Sequence, residues 1–314
     1  MRYIFMGSPP FAMPVFEALL DSGHVLLALV TRPDKPRGRG REVVASDLVK
    51  LARSRDIPVL QPETTKTKEF VEELRSFQPD VLLAASYGEI LREEVLNLAP
   101  HGALNVHGSL LPRHRGAAPI QQAVAMGDAQ TGVSIQRMVL ALDEGDLLLS
   151  SSIPIGPEDT SGDLFDSLAK LGGEVAVQAL DMLDAGEDVY TPQDESLATY
   201  ARKLKKSDGC IDWNMSAVSI ERHTRAMQPW PGAKAATPDG RPLIVQSARI
   251  DSTHAGTPGE LLETAKRCLV ATGEGALELL IVKPAGKRAM DAGSWLRGSR
   301  LESGARLGNG GDAQ

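Results

Sequence analysis

The sequence predicts a two-domain α/β protein, with an N-terminal domain built on a parallel β-sheet and a smaller β-rich domain after it. The first observation is that short apolar runs alternate with helical patterns over the first two-thirds of the chain. Strands and helices in this order specify a parallel sheet with helices on both faces. The second observation is a change of pattern after about residue 188, where short strands are separated by turn signals. We place the first domain at residues 1–188, a linker at 189–206 and the second domain at 207–307.

Continuous apolar runs predict the strands of the first domain, and apolar residues spaced three or four apart predict its helices. The predicted strands are 3–6, 25–30, 58–60, 81–85, 103–106, 133–138 and 147–155, and the last two are expected to pair. The predicted helices are 11–20, 47–55, 68–77, 93–98, 120–126 and 164–183.

Two turn signals organise the second domain. Asp239-Gly240 lies between one pair of short strand-like runs, and Gly273-Glu274-Gly275 lies between another pair. Both are hairpin cues, so we expect a small β domain. Residues 308–314 consist of small and polar side chains that cannot contribute to a core, so we expect them to form a disordered tail.

Size and composition narrow the class of protein. A chain of 314 residues can bury a sizeable core, and 42% hydrophobic with 24% charged residues is ordinary for a globular protein. No apolar run approaches the roughly 18 residues of a membrane span, and the start does not resemble a signal peptide. We therefore expect a cytoplasmic protein. Separately, we expect it to act as a monomer, although no feature of the sequence shows the oligomeric state. For Cys210 and Cys268 we favour two unpaired thiols over a disulfide or metal pair.

The charge distribution leaves room for local contacts with nucleic acid. The net charge of −7 argues against coating of the whole surface, but a folded protein can use local basic patches. Basic residues concentrate in the segments 32–41 and 202–206. Taken alone, either segment can equally be ordinary solvated surface.

The best candidates for catalytic residues lie in the predicted strand 103–106 or shortly after a predicted strand. Alternation along that strand places Asn105 and His107 on the same side, where an amide can stabilise an oxyanion and an imidazole can exchange a proton. Asp143 and Asp146 are both candidates for a carboxylate that orients the histidine. Capping and turn roles are the alternative for all four residues. The histidines show no zinc-type spacing, so no metal is predicted.

These motifs resemble those of a known family. Asn105-Val106-His107 followed by Gly108-Ser109-Leu110-Leu111-Pro112, and later Leu142-Asp143-Glu144-Gly145-Asp146, is similar to the 10-formyltetrahydrofolate-dependent transferases. The longer run 108–121 and four further segments resemble the methionyl-tRNA formyltransferase family most closely, and the likeness runs over about residues 2–307. The four further segments are 32–40, 211–213, 229–232 and 284–290.

The resemblance implies a fold, a reaction and a set of functional residues. It implies a Rossmann-like catalytic domain, a C-terminal β-barrel of the oligonucleotide-binding type, and transfer of a formyl group from 10-formyltetrahydrofolate to initiator methionyl-tRNA, without a metal. The implied catalytic residues are Asn105, His107 and Asp143. The implied folate-binding residues are Ser109, Leu110, Leu111 and Pro112, with Tyr87, Gly88, Ile90 and Leu91 in the wall of the pocket. The implied tRNA-binding residues are Arg32, Lys35, Arg37, Arg39 and Arg41 in an insertion loop at 32–44, with Lys203, Lys205 and Lys206 in the linker.

Other functions remain as alternatives. The nearest are a formyltransferase that acts on a nucleotide-linked amino sugar and a formyl-folate hydrolase, which share the Asn-x-His core. A dinucleotide-binding oxidoreductase is disfavoured because Gly7 is followed by Ser8-Pro9-Pro10 instead of a Gly-x-Gly-x-x-Gly turn. A non-catalytic RNA-binding module has no use for the catalytic residues.

Overall fold

The computed structural model describes residues 1–34, 36–37 and 42–312. The chain divides into two compact units. The N-terminal unit comprises Met1–Pro119, Gln130–Pro154 and Phe165–Ala201. The C-terminal unit comprises Ile120–Ala129, Ile155–Leu164 and Arg202–Gln314.

A mostly parallel sheet forms the centre of the N-terminal unit. The strands of this unit are β1 (Arg2–Gly7), β2 (Val25–Val30), β3 (Pro36–Arg37), β4 (Glu42–Val43), β5 (Val59–Leu60), β6 (Val81–Ala85), β7 (Ala103–His107), β8 (Arg115–Gly116), β9 (Gln130–Arg137), β10 (Leu147–Pro154) and β11 (Tyr200–Ala201). The central sheet has the order β10-β9-β7-β6-β1-β2-β5. Its neighbours from β7 to β5 pair in parallel, whereas β9 is antiparallel to both β7 and β10. The predicted pairing of the last two strands is confirmed.

Helices cover both faces of this sheet, as predicted. In chain order, the helices of both units are α1 (Ala12–Leu20), α2 (Asp47–Ser54), α3 (Lys68–Ser76), α4 (Glu93–Leu96), α5 (Pro119–Met126), α6 (Ser161–Ala185), α7 (Ala217–Ala226) and α8 (Ala292–Ser299). Helices α7 and α8 belong to the C-terminal unit. On one face, Ile4 and Met6 of β1 share a buried cluster with Phe70 of α3. The intervening Phe5 points to the opposite face, where its ring lies 5.3 Å from that of Phe16 in α1. This alternation follows from the two-residue period of a strand.

The C-terminal unit is an antiparallel half-barrel. Its strands are β12 (Ala233–Ala236), β13 (Pro242–Asp251), β14 (Leu261–Glu263), β15 (Cys268–Ala271), β16 (Ala276–Pro284), β17 (Met290–Asp291) and β18 (Gly308–Asn309). They follow the order β14-β15-β16-β13-β12-β18, with β17 on β16. Both predicted hairpins, β12–β13 and β15–β16, are confirmed. Helices α7 and α8 were not predicted. Ser216 caps the start of α7 by accepting a hydrogen bond from Ser219 N, and Asp291 caps α8 in the same way.

The expectation of a disordered tail from residue 308 was wrong for the part that the structure describes. Gly308–Asn309 pairs with β12, and the indole Nε1 of Trp213 donates to Gly308 O at 3.2 Å. Gly310 packs so closely on the backbone of Lys234 that an added Cβ would overlap its carbonyl oxygen. The backbone therefore orders this segment without large side chains. Residues 313–314 lie outside the described residues.

The predicted linker at 189–206 also differs from the structure, because the N-terminal unit extends to Ala201. Thr191 exchanges two backbone hydrogen bonds of 2.9 Å with Leu147, and β11 pairs in parallel with β8. We call residues 190–201 the strap. Its polar composition gave no sign of this pairing, since the contacts are mainly made by the backbone.

Among the described residues, every helix is too short or too polar to span a membrane.

Candidate active site

Strands β7 and β9 place a group of polar side chains on one face of the central sheet. Asn105 lies opposite Gln136, and His107 lies opposite Ser134. Directly opposed residues of an antiparallel pair share a face, so the predicted alternation of Asn105 and His107 is confirmed. The Asn105 side chain is half-buried, and no described residue forms a hydrogen bond with its amide. An amide in this state is available to a ligand.

The structure brings His107 and Asp143 together. Nδ1 of His107 lies 3.6 Å from Oδ2 of Asp143, and only 6% and 10% of the two side chains are exposed. Nε2 of His107 lies 3.0 Å from the carbonyl oxygen of His114. Because a carbonyl can only accept, Nε2 carries a hydrogen atom and donates it. Nδ1 is therefore the nitrogen that can gain or lose a proton, and it faces the carboxylate.

Asp143 is held on both oxygens by donors from the fold. Oδ1 accepts from Gln136 Nε2 at 2.7 Å, and Oδ2 accepts from Gly116 N at 2.8 Å. The backbone of Asp143 is left-handed, with φ of 56°. The other candidate, Asp146, has an exposed side chain and contributes its carbonyl oxygen to Arg137 N. The geometry thus distinguishes between two acids that spacing alone left equivalent.

The loop after β7 is fastened to β9 by hydrogen bonds. The Ser109 hydroxyl donates to Arg113 O at 2.7 Å, and Ser134 Oγ donates to Ser109 O at 2.8 Å. Leu111 N in turn donates to Ser134 Oγ at 3.1 Å. Of the predicted folate-binding residues here, Ser109 and Leu111 are buried, while Leu110 and Pro112 are half-buried. The hydroxyl of Ser109 therefore shapes the loop, and Leu110 and Pro112 keep part of their surface exposed.

The predicted pocket wall after β6 is only partly exposed. Tyr87 and Leu91 belong to the buried core, and desolvation by burial raises the pKa of Tyr87 to about 12. Ile90 between them is 78% exposed. Gly88 has a positive φ, and an added Cβ there would overlap the guanidinium of Arg32. That guanidinium donates from Nε to Tyr87 O at 2.9 Å, so the backbone of this segment binds Arg32.

A pocket of 280 Å³ lies next to Arg32, at the carboxyl ends of β1 and β2. It is lined by Ser8, Pro9, Thr31, Arg32, Pro33, Asp34, Val44 and Ser46.

The basic residues predicted to bind tRNA are placed unevenly. Lys35, Arg39 and Arg41, with the side chain of Arg37, lie outside the described residues. Lys203, Lys205 and Lys206 are exposed, and no ion pair is found for them within the described ranges. Arg202 is different, because its guanidinium forms two hydrogen bonds of 2.7 and 2.8 Å with Asp208.

Three contributors to the site were not predicted as site residues from the sequence. Gln136 binds the Asp143 carboxylate, Gly116 donates to it, and Gln193 of the strap binds the loop that carries it. Gln136 could have been found from the alternation along β9, because it falls on the face that β9 shares with Asn105. Gln193 has no spacing relationship to Asp143, so no pattern in the sequence points to it. No group of three or more metal-ligating side chains occurs among the described residues.

An open amide beside an imidazole–carboxylate pair, on the face of a mostly parallel sheet, defines an α/β group-transfer enzyme. Residues 1–180 match the Formyl transferase family, and residues 203–300 match the family described as Formyl transferase, C-terminal domain. The chain belongs to the formyl transferase family, within its methionyl-tRNA formyltransferase group.

Full-length relatives support this assignment. The chain is 43% identical over 312 residues to a methionyl-tRNA formyltransferase of Roseiflexus sp. (strain RS-1), covering 98% of this chain and 96% of the relative. It is 39% identical over 315 residues to one of Geobacter sulfurreducens, covering 100% and 99%. Among solved structures, an N-formyltransferase from Helicobacter canadensis has a similar fold, with a TM-score of 0.62 at 13% identity over 88% of this chain and 98% of that one.

Proposed function

We propose that the chain transfers the formyl group of 10-formyltetrahydrofolate to the amino group of methionine on initiator tRNA, acting as a cytoplasmic monomer. The observation that carries this proposal is the His107–Asp143 pair on the same sheet face as the open amide of Asn105. The relatives at 39% and 43% identity extend over both units, and both are named for the same acceptor. The match over the second unit is what supports the tRNA acceptor, because the proposed catalytic groups all lie in the first unit.

The role of Asn105 is to stabilise charge on the carbonyl oxygen under attack. Its amide needs no rearrangement to donate, since no described residue occupies it. A donor aimed at a developing oxyanion typically lowers the barrier by roughly 2.7–4 kcal/mol. The effect is largest where water is excluded, and the neighbours of Asn105 on this face, His107 and Gln136, are both buried.

His107 is proposed to accept the proton that the attacking amine releases and to return a proton to the folate nitrogen from which the formyl group departs. The hydrogen bond of Nε2 to His114 O leaves Nδ1 as the accepting atom. Once Nδ1 is protonated, the imidazolium faces the carboxylate of Asp143 at 3.6 Å. Asp143 does not need to take the proton itself, because an ion pair in a buried site already stabilises the charged state.

The formyl donor is proposed to bind across the loops that follow β6 and β7, and it supplies an activated one-carbon group at the level of a carbonyl. These two strands are neighbours and parallel, so their carboxyl ends open to the same edge of the sheet. Ile90 presents an exposed apolar side chain after β6, and Leu110 and Pro112 are half-buried after β7. Apolar surfaces of this kind suit a flat heterocycle such as a pterin.

The acceptor tRNA is proposed to contact exposed lysines of the segment 203–206, together with Arg32 and the basic residues of the loop at 32–44. Lys203, Lys205 and Lys206 are exposed, and their side chains form no ion pair with a described residue. Unpaired lysines near phosphates contribute affinity through counterion release.

A direct assay tests the proposal. Purified protein is incubated with 10-formyltetrahydrofolate labelled in the formyl group and with one of three acceptors: initiator methionyl-tRNA, elongator methionyl-tRNA or a nucleotide-linked amino sugar. We expect rapid transfer to initiator methionyl-tRNA and loss of activity in His107→Ala. Transfer to the amino sugar in place of tRNA, or release of free formate, would support one of the alternative functions.

A further inference from the structure

Gln193, a residue of the strap, contacts the loop that carries the carboxylate of Asp143. Gln193 Nε2 donates to the carbonyl oxygens of Asp143 and Gly145, at 2.9 and 2.7 Å. Its Oε1 accepts from Arg115, whose Nε and Nη2 lie at 3.1 and 2.9 Å. A guanidinium only donates and carbonyl oxygens only accept, so the orientation of this amide is fixed chemically.

Arg115 is itself fixed in place. It is fully buried, and its two terminal nitrogens bind the carboxylate of Glu195 at 2.6 and 2.9 Å. This hydrogen bonding raises the pKa of Arg115 above its ordinary value and lowers that of Glu195. Because Glu195 also belongs to the strap, the guanidinium and the Gln193 amide form one rigid unit.

The bonds from Gln193 fall where the loop needs support. Asp143 adopts a left-handed backbone, which costs a non-glycine residue about 1–2 kcal/mol. The two carbonyl oxygens that Gln193 binds lie at that residue and two residues later. In addition, Gln193 Nε2 lies 3.4 Å from Oε1 of Gln136, which turns the other end of the Gln136 amide toward Asp143 Oδ1.

We propose that Gln193 is a positioning residue that fixes the carboxylate of Asp143 against His107. It acts on the backbone of the Asp143 loop and, through Gln136, on the carboxylate itself. The proposal rests on the catalytic roles given above to Asp143 and His107. It also gives the strap a function, since the segment that we expected to be a linker completes one side of the active site.

The decisive variant is Gln193→Met, which keeps the length of the side chain and removes its hydrogen bonds. We expect kcat to fall on the order of 10-fold to 100-fold, with KM for the folate and for tRNA changed less than about 2-fold, because the loss is one of alignment and not of binding. The pH dependence of kcat should move toward that of Asp143→Asn. The matched control is Gln130→Met, since Gln130 is exposed at the start of β9.

A double-mutant cycle separates positioning from general structural support. If Gln193 works through Asp143, then Gln193→Met in the Asp143→Asn background should reduce kcat by no more than about 2-fold further. Independent, multiplying losses would overturn the proposal, as would unchanged kcat in Gln193→Met or a rise in KM alone. Full activity of Asp143→Asn would instead remove the proposed role of Asp143, which is a distinguishable failure.

A second variant tests whether the loss of kcat can occur without unfolding. Gln193→Glu has the same shape and retains an acceptor for Arg115, so the strap stays attached, but it turns an oxygen toward the carbonyl oxygens of Asp143 and Gly145. We expect the same loss of kcat with an unchanged circular dichroism spectrum. Wild-type kcat in this variant would contradict the proposal.

Discussion

Replacing Asp143 with asparagine tests the centre of the site with the smallest possible change of shape. Both carboxylate oxygens of Asp143 accept N–H groups, from Gln136 and from Gly116. An asparagine has one oxygen, so it must turn an N–H toward one of these donors. The Gln136 amide is not free to reverse, because its oxygen lies beside the donor nitrogen of Gln193. One buried donor is therefore left unsatisfied, which lowers the free energy of unfolding by about 1–3 kcal/mol.

The larger effect is on catalysis. At the 3.6 Å that separate His107 Nδ1 from Asp143 Oδ2, two unit charges attract by about 5 kcal/mol if the effective dielectric constant is about 20. Part of this attraction offsets the cost of keeping the charges away from water. We therefore expect Asp143→Asn to lower kcat by roughly 100-fold to 1000-fold, which corresponds to about 2.7–4 kcal/mol.

The assay is the initial rate of formyl transfer to methionyl-tRNA at saturating folate. It is measured between pH 6 and 9, a range that begins near the ordinary pKa of a histidine side chain and extends above it. Asp146→Asn is the matched control, because Asp146 lies in the same loop with an exposed side chain and should keep wild-type kcat. Equal losses in the two variants, or a loss in Asp143→Asn of less than about 3-fold, would refute the assignment of the carboxylate.

Three further predictions concern the C-terminal unit. Gly310→Ala should lower the free energy of unfolding by about 1–3 kcal/mol, because its Cβ overlaps backbone, whereas Gly311→Ala, with open space around it, should be neutral in a denaturant titration. Changing the three lysines of the segment 203–206 to alanine should raise KM for tRNA and reduce its salt slope by about one for each phosphate that is no longer neutralised. The same change at three exposed lysines of the N-terminal unit should not; these are Lys50, Lys66 and Lys68. Finally, burial raises the pKa of the Cys268 thiol to about 12, so iodoacetamide at pH 8 should modify the half-buried Cys210 first, and equal labelling in the folded protein would contradict this burial.

The elements that the sequence predicted well are those whose side chains carry a period. The runs at β2 and β6 are continuous and apolar, and they form strands with the predicted bounds. Alternation along β7 correctly placed Asn105 and His107 on one face. In contrast, the choice of Asp143 over Asp146 depends on how a loop folds back, and spacing carries no information about that.

What the sequence did not reveal is mostly structure made by the backbone. The strap and strand β18 are held by main-chain pairing and by single polar contacts, in segments whose composition is typical of linkers and tails. Helices α7 and α8 escaped prediction because they lie among turn-rich strands, although the capping residues Ser216 and Asp291 were visible. Local sequence patterns report on side-chain burial, and the strap and β18 are ordered with little burial.

The path of the chain after Gly304 affects how the C-terminal unit behaves in concentrated solution. Gly304 and Leu307 form backbone hydrogen bonds with Leu261 and Gly259 at one margin of the half-barrel, and Gly308–Asn309 continues onto β12 at the other. One short stretch thus covers N–H and C=O groups on two strands that would otherwise recruit strands from neighbouring molecules. A protein shortened to residue 303 keeps its catalytic side chains but exposes both edges of the half-barrel. We therefore expect it to self-associate and precipitate.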